Sequence, residues 1–132
     1  MKQTLDHRQL EELRTTLKSR ARQLRDEIQQ TLRKSDDEQY TMIADQVRDL
    51  EDDSFADLMV DVNLAEIDRD LQELRLIDAA FLRMGDGTYG LCDGCDSPIE
   101  IERLRATPFA SRCFDCQSAF ERNHVQNIGH TL

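Results

Sequence analysis

The sequence predicts a mainly α-helical chain: a long antiparallel coiled-coil hairpin, then a small cysteine-bearing globular module and a short C-terminal helix. Three observations carry this. Charged residues make up 33% of the 132 residues and aromatics only 5%, with no Trp, so apolar stripes are affordable but a thick core is not. Leucine and isoleucine recur at steps of three and four through two long stretches that hold none of the two prolines and five glycines. Four cysteines crowd into the last third. The expected division is residues 1–84 for the hairpin, with its tip near 48–54, and residues 85–132 for the module.

In the first stretch Leu10, Leu13, Leu17, Ala21, Leu24, Ile28 and Leu32 form one helical stripe, with Arg and Glu on the other faces. The stripe fades at Ser35-Asp36-Asp37, and Met42, Ile43 and Val47 resume it. A helix over about 5–47, interrupted near Ser35, is expected. In the second stretch Val60, Leu64, Ile67, Leu71, Leu74, Ile77, Phe81 and Met84 repeat the pattern. Ser54 is placed to cap this helix, with Asp57 three residues on, and Gly85-Asp86-Gly87 to end it. A short link makes the two helices antiparallel neighbours.

The charge is unevenly placed. The chain carries 17 basic and 27 acidic residues, a net −10. Residues 1–35 hold 9 bases and 5 acids, whereas residues 36–73 hold 14 acids against Arg48 and Arg69. The link itself, Asp49-Leu50-Glu51-Asp52-Asp53, has four carboxylates in five residues. Two readings stand: a solvated turn whose acids favour the next helix's positive end, or an acidic tip presented to a partner. A net acidic chain is a poor general duplex binder, because phosphate neutralisation supplies most of that affinity. No apolar run approaches the roughly 20 residues of a membrane span, and the N-terminus lacks an apolar signal stretch. A cytoplasmic chain without membrane contact is expected.

Cys92, Cys95, Cys113 and Cys116 form two Cys-x-x-Cys pairs at the spacing of a four-thiolate zinc site. Each pair makes a knuckle that offers two sulfurs to one metal, and the intervening loop closes a tetrahedron. One structural Zn²⁺ is expected, with no position open for catalysis. Gly94 permits the first knuckle's turn, while the second, Cys113-Phe114-Asp115-Cys116, has no glycine. Ile99, Ile101 and Leu104 suggest a short ribbon or helical turn between the knuckles. Residues 117–125 read as a short helix with Phe120 packed inward. His7, His124 and His130 have no evident ligand role, and no nucleophile–base constellation or phosphate loop stands out, so no enzyme is expected.

The stretch Thr88-Tyr89-Gly90-Leu91-Cys92-Asp93-Gly94-Cys95-Asp96-Ser97-Pro98-Ile99, then Arg103-Leu104-Arg105-Ala106-Thr107-Pro108 and Arg112-Cys113-Phe114-Asp115-Cys116, resembles the bacterial DksA/TraR family. The resemblance implies a hairpin projecting from a zinc-finger end. It also implies binding to bacterial RNA polymerase, with the tip inserted through the secondary channel to alter initiation and without direct DNA binding. DksA-type members carry Asp-x-x-Asp-x-Ala at the tip; this chain offers Asp49-Leu50-Glu51-Asp52-Asp53-Ser54. Asp49, Asp52, Asp53, Ser54 and Asp57 are the partner-binding candidates. By the same count, the family's basic positions for guanosine tetraphosphate fall on Leu76, Thr107 and Gln117, none cationic, so independence of that nucleotide is expected. A monomer is expected. Two rivals stand beside this: a nucleic-acid-binding zinc ribbon using Arg103, Arg105, Arg112 and Arg122, and a zinc-stabilised coiled-coil scaffold self-associating through Leu50, Phe55, Leu58 and Met59.

Overall fold

The computed structural model describes residues 5–47 and 65–130. Within them lie helices α1 (His7–Arg33), α2 (Glu38–Val47), α3 (Ala65–Asp86), α4 (Ile101–Ala106) and α5 (Phe114–His130). Extended structure among the described residues is limited to one isolated antiparallel bridge, Leu91 with Pro98. The chain divides into two compact units, Leu17–Asp78 and Met1–Thr16 with Ala79–Leu132.

α1 starts at a reciprocal cap. The Asp6 carboxylate accepts from the Gln9 amide N–H at 2.7 Å, and the Gln9 side chain accepts from the Asp6 N–H at 3.1 Å. This satisfies two donors that a helix start otherwise leaves bare. α1 ends where the stripe fades. The Ser35 hydroxyl accepts from the Asp37 N–H at 3.1 Å, and Asp37 then caps α2 by accepting from the Gln39 N–H at 2.9 Å. The expected interruption near Ser35 is therefore present, built from two side chains that compete with the helix for backbone donors.

In the unit Leu17–Asp78, Leu17, Ala21, Leu24, Ile28 and Leu32 of α1 are buried together with Ile67, Leu71, Leu74 and Ile77 of α3. Each fully buried side chain of this size contributes about 1.5–3 kcal/mol by leaving water. Arg20 pairs with Glu73 and Glu27 faces Asp70, so rising numbers in α1 meet falling numbers in α3, the antiparallel order. Burial, and then the neighbouring Glu27 carboxylate, raise the Asp70 carboxyl above its ordinary range. α2 is tied to the end of α1: the Gln29 amide donates to the Ala44 carbonyl at 3.0 Å, and Arg33 pairs with Asp45 at 2.9 Å. Here one expectation is corrected. Met42 does not continue the buried stripe; it is 63% exposed, and among the described side chains of α2 Ala44 is the buried one. The Ser35–Asp37 break resets the helical phase, so counting on from α1 picks the wrong face.

In the other unit, Leu13, Ala80, Tyr89, Ile99, Leu104 and Ala110 are buried, and Leu10, Met84 and Leu91 line a small apolar cavity. α3 stops where expected: Gly87 takes φ +82°, and the Thr88 and Tyr89 N–H groups fold back onto the Arg83 carbonyl at 3.0 and 3.2 Å. The Asp86 carboxylate holds the Thr88 hydroxyl and N–H, which lowers its pKa. Among the described residues no helix is long and apolar enough to cross a membrane. The proposed tip residues Asp49, Asp52, Asp53, Ser54 and Asp57, with the Val60 and Leu64 end of the second stripe, lie outside the described residues.

Candidate metal centre

The first knuckle is a turn built on backbone hydrogen bonds. The Cys92 N–H donates to the Ser97 carbonyl at 2.7 Å, and the Asp96 N–H to the Cys92 carbonyl at 2.9 Å. Asp96 accepts the left-handed φ of +62° that closes the turn, a conformation Asp tolerates better than most residues. The Ile99 N–H reaches the Gly90 carbonyl at 2.7 Å, and Gly90 at φ +87° brings its backbone against Leu5. This ribbon, not Ile101 and Leu104, is the extended part; those two residues belong to α4, with Leu104 fully buried.

The second knuckle is the first turn of a helix. α5 begins at Phe114, three residues earlier than the sequence reading placed it, and the Gln117 N–H donates to the Cys113 carbonyl at 2.9 Å. A right-handed helical turn needs no glycine, which explains why this knuckle has none. It also sets Cys116 on the helix's first turn, where the dipole favours a thiolate.

The loops that join the knuckles are pinned. The Asp93 N–H donates to the Ser111 carbonyl at 2.7 Å and the Arg103 Nε to the Arg112 carbonyl at 2.9 Å. The Tyr89 hydroxyl donates to the Pro108 carbonyl at 2.7 Å, and burial pushes its pKa up to about 12. Arg105 bridges Glu12 at 3.2 Å and Glu102 at 2.9 Å. The Arg112 guanidinium lies 4.1 Å over the Phe120 ring. Phe120 is therefore not packed inward as expected. It is 47% exposed and is covered by Arg112 instead of the core.

These supports bring Cys92, Cys95, Cys113 and Cys116 together, with all four Sγ atoms within 4.8 Å of one another. Cys95 and Cys113 approach to 3.9 Å. Four sulfurs at about 2.3 Å from one Zn²⁺ stand about 3.8 Å apart in a tetrahedron, so the set fits that ion. The ionisation of the sulfurs is uneven without a cation. Burial opposes the Cys92 thiolate, but backbone N–H groups of Cys113, Cys95 and Gly94 outweigh it and bring its pKa to about 6. Hydrogen bonds with the Cys113, Cys92 and Cys95 sulfurs push Cys116 up to about 12. Four thiolates this close need a cation to coexist. Gly94 completes the cradle: a Cβ there would lie 3.2 Å from Cys116 Sγ and 3.3 Å from its Cβ.

Residues 87–122 match the model of the prokaryotic dksA/traR C4-type zinc finger. This segment is a DksA/TraR-family zinc finger. It takes one structural zinc. Finger included, the chain is 28% identical over 125 residues to the RNA polymerase-binding transcription factor DksA of Escherichia coli K12, covering 95% of this chain and 80% of that protein. General stress protein 16O of Bacillus subtilis is 40% identical over 65 residues, 49% of this chain and 39% of that one. Among solved structures, the DnaK suppressor protein of Agrobacterium tumefaciens C58 has a TM-score of 0.57 at 27% identity, covering 89% of this chain and 96% of that one. DksA2 of Pseudomonas aeruginosa has a TM-score of 0.60 at 22% identity, covering 90% and 88%, and speaks for the fold. The DksA/TraR finger is thus joined to a helical part that is similar to DksA over most of the chain.

Proposed function

We infer that this protein is a DksA-like regulator that binds bacterial RNA polymerase and inserts an acidic hairpin tip into the polymerase's secondary channel to modulate transcription initiation. The observation that carries the reading is the similarity to the RNA polymerase-binding DksA across 95% of the chain, with the same kind of four-cysteine finger at its end. Cys92, Cys95, Cys113 and Cys116 are the zinc ligands. All four positions are thiolate, so the zinc closes the finger and performs no chemistry. The protein is a non-enzymatic monomer.

In this reading Asp49, Asp52, Asp53, Ser54 and Asp57 form the tip, on the segment where 14 acids outnumber two bases. Such a tip complements a channel lined by basic groups and a metal, and electrostatic complementarity of this kind speeds association and fixes register. Leu76, Thr107 and Gln117 supply no cation where DksA-type members hold guanosine tetraphosphate, so the protein acts without that nucleotide.

The nucleic-acid-ribbon alternative loses support from the arginines it would need. Arg103 is bonded to the Arg112 carbonyl, Arg105 to Glu12 and Glu102, and Arg112 to Phe120. Of the four, only Arg122 has no such engagement among the described residues, so the other three would have to leave these partners to reach phosphates.

The test is binding of the zinc-loaded protein to bacterial RNA polymerase core enzyme, with and without guanosine tetraphosphate. The account expects saturable 1:1 binding that the nucleotide leaves unchanged. No binding would overturn the polymerase reading, and nucleotide-enhanced binding would overturn the independence. Salt-sensitive binding to plain duplex DNA would favour the ribbon instead.

A further inference from the structure

α2 does not run on from α1; it turns back along it. The Gln29 amide holds the Ala44 carbonyl at 3.0 Å, and Arg33 holds Asp45 at 2.9 Å. In an uninterrupted helix Gln29 and Ala44 would stand about 22 Å apart, and Arg33 and Asp45 about 18 Å. Neither side chain spans such a gap, so the chain reverses within Lys34-Ser35-Asp36-Asp37. Ala44, wholly buried, is the side chain that the reversal packs away.

The reversal is held lightly. Its turn has no proline or glycine, so no residue in it forbids a helix. Two short side chains make it, Ser35 accepting from the Asp37 N–H and Asp37 from the Gln39 N–H. The Arg33–Asp45 pair is exposed, and pairs of that kind add little. Doubling back also leaves Met42 63% exposed. In a continuous helix Met42 would lie 18 residues beyond Leu24, five full turns, on the stripe that α1 buries. Ser35 and Gln39 would come onto the same face, so the straight form is the less stable one until a partner selects it.

We propose that the turn 34–37 is a hinge, and that α2 swings out to continue α1 as one helix when the protein engages RNA polymerase. This rests on the polymerase reading and adds that the free protein is held in a shortened form. Straightening carries the helix about 21 Å beyond Arg33. The 17 residues between Val47 and Ala65 are long enough to return over that distance. The doubled-back arm is thicker by one helix, about 10 Å, so a narrow channel selects the straight form.

The experiment places spin labels, carried by unnatural amino acids, at positions 22 and 46, which are both exposed and leave the zinc cysteines untouched. Pulsed electron paramagnetic resonance then reads their separation in the zinc-loaded full chain, free and bound to bacterial RNA polymerase core enzyme. Binding is expected to lengthen it by roughly 15–25 Å, since 24 residues of continuous helix span about 36 Å. Glu38→Pro locks the hinge: position 38 is the first residue of α2, where proline is tolerated, but it falls inside the continuous helix, where proline is not. That variant is expected to keep the short separation and to bind core enzyme at least about tenfold more weakly, whereas Glu38→Gln, with the same loss of charge, stays within about twofold. Ser35→Ala/Asp37→Ala removes the two caps of the turn and is expected to lengthen the separation in the free protein. Zinc stoichiometry and far-ultraviolet circular dichroism establish that each variant is folded. A bound protein that keeps the short separation, or a Glu38→Pro protein that binds like Glu38→Gln, would overturn the hinge and leave the polymerase reading intact. A long separation in the free wild type would overturn the shortened resting form. Absence of wild-type binding would overturn both the polymerase reading and the role given to the hinge.

Discussion

Replacing Gly94 by alanine isolates the packing of the zinc cradle. The added methyl would lie 3.2 Å from Cys116 Sγ, 3.3 Å from Cys116 Cβ and 3.8 Å from Cys92 Sγ. Ordinary carbon contacts are about 3.5–4.0 Å, so something must yield by a few tenths of an ångström. The backbone does not resist the change, because Gly94 is not among the glycines with positive φ, which are Gly87 and Gly90. The strain therefore falls on the sulfurs. Cys116 cannot retreat freely, since it sits in the first turn of α5. Overpacking of this kind costs about 1–3 kcal/mol, which corresponds to roughly 5- to 150-fold in zinc affinity. Competition for zinc against a chromogenic chelator reads this directly. Gly85→Ala is the control: it lies within α3, nothing stands within 4 Å of the added methyl, and its φ is not positive. That variant is expected to gain about 0.5–1 kcal/mol of stability and to leave zinc affinity unchanged. A Gly94→Ala protein that holds zinc within twofold of wild type would refute the argument.

Three other outcomes follow from the same structure. Cys113→Ser removes one of the four sulfurs and is expected to abolish stoichiometric zinc and unfold the finger while most helical circular dichroism survives; full thermal stability with one bound zinc would contradict this. Ile28→Ala empties a fully buried position and is expected to cost about 2–5 kcal/mol in urea unfolding, with a loss under about 1 kcal/mol counting against the packing. Asp70 tests the pH dependence: its carboxyl is raised by burial and by Glu27, so the folded state holds its proton more tightly than the unfolded chain. That contribution is complete below the ordinary carboxylate range and is lost as pH rises through the raised value. Asp70→Asn should therefore raise the urea midpoint relative to wild type at pH 7 but not at pH 3, and an equal shift at both would contradict the assignment.

Helix periodicity made α1 and α3 legible, because Leu17, Leu24, Ile28, Ile67 and Ile77 had to share a buried face wherever the helices met. The break near Ser35 was legible from its polar triplet. The phase of α2 was not, since a capped break restarts the helix at an angle that periodicity does not encode; Met42 shows the consequence. The Asp6–Gln9 cap went unread although Asp-x-x-Gln at a helix start carries the signal. In the finger, cysteine spacing foretold the cluster, but the missing glycine of the second knuckle became intelligible only when α5 proved to begin at Phe114. The exposure of Phe114 and Phe120 was illegible for a simpler reason: an aromatic in a short helix reads as core until its neighbours are known.

The central claim is that an acidic tip acts on a polymerase to which the rest of the molecule docks. The most direct test measures open-complex lifetime on a ribosomal-RNA-type promoter with zinc-loaded wild type and an Asp49→Asn/Asp52→Asn double variant, after their affinities for polymerase have been matched. The account predicts that both proteins bind and that the wild type changes the lifetime while the variant does not. A variant that alters the lifetime as fully as wild type, or a wild type that binds without altering it, would contradict the claim.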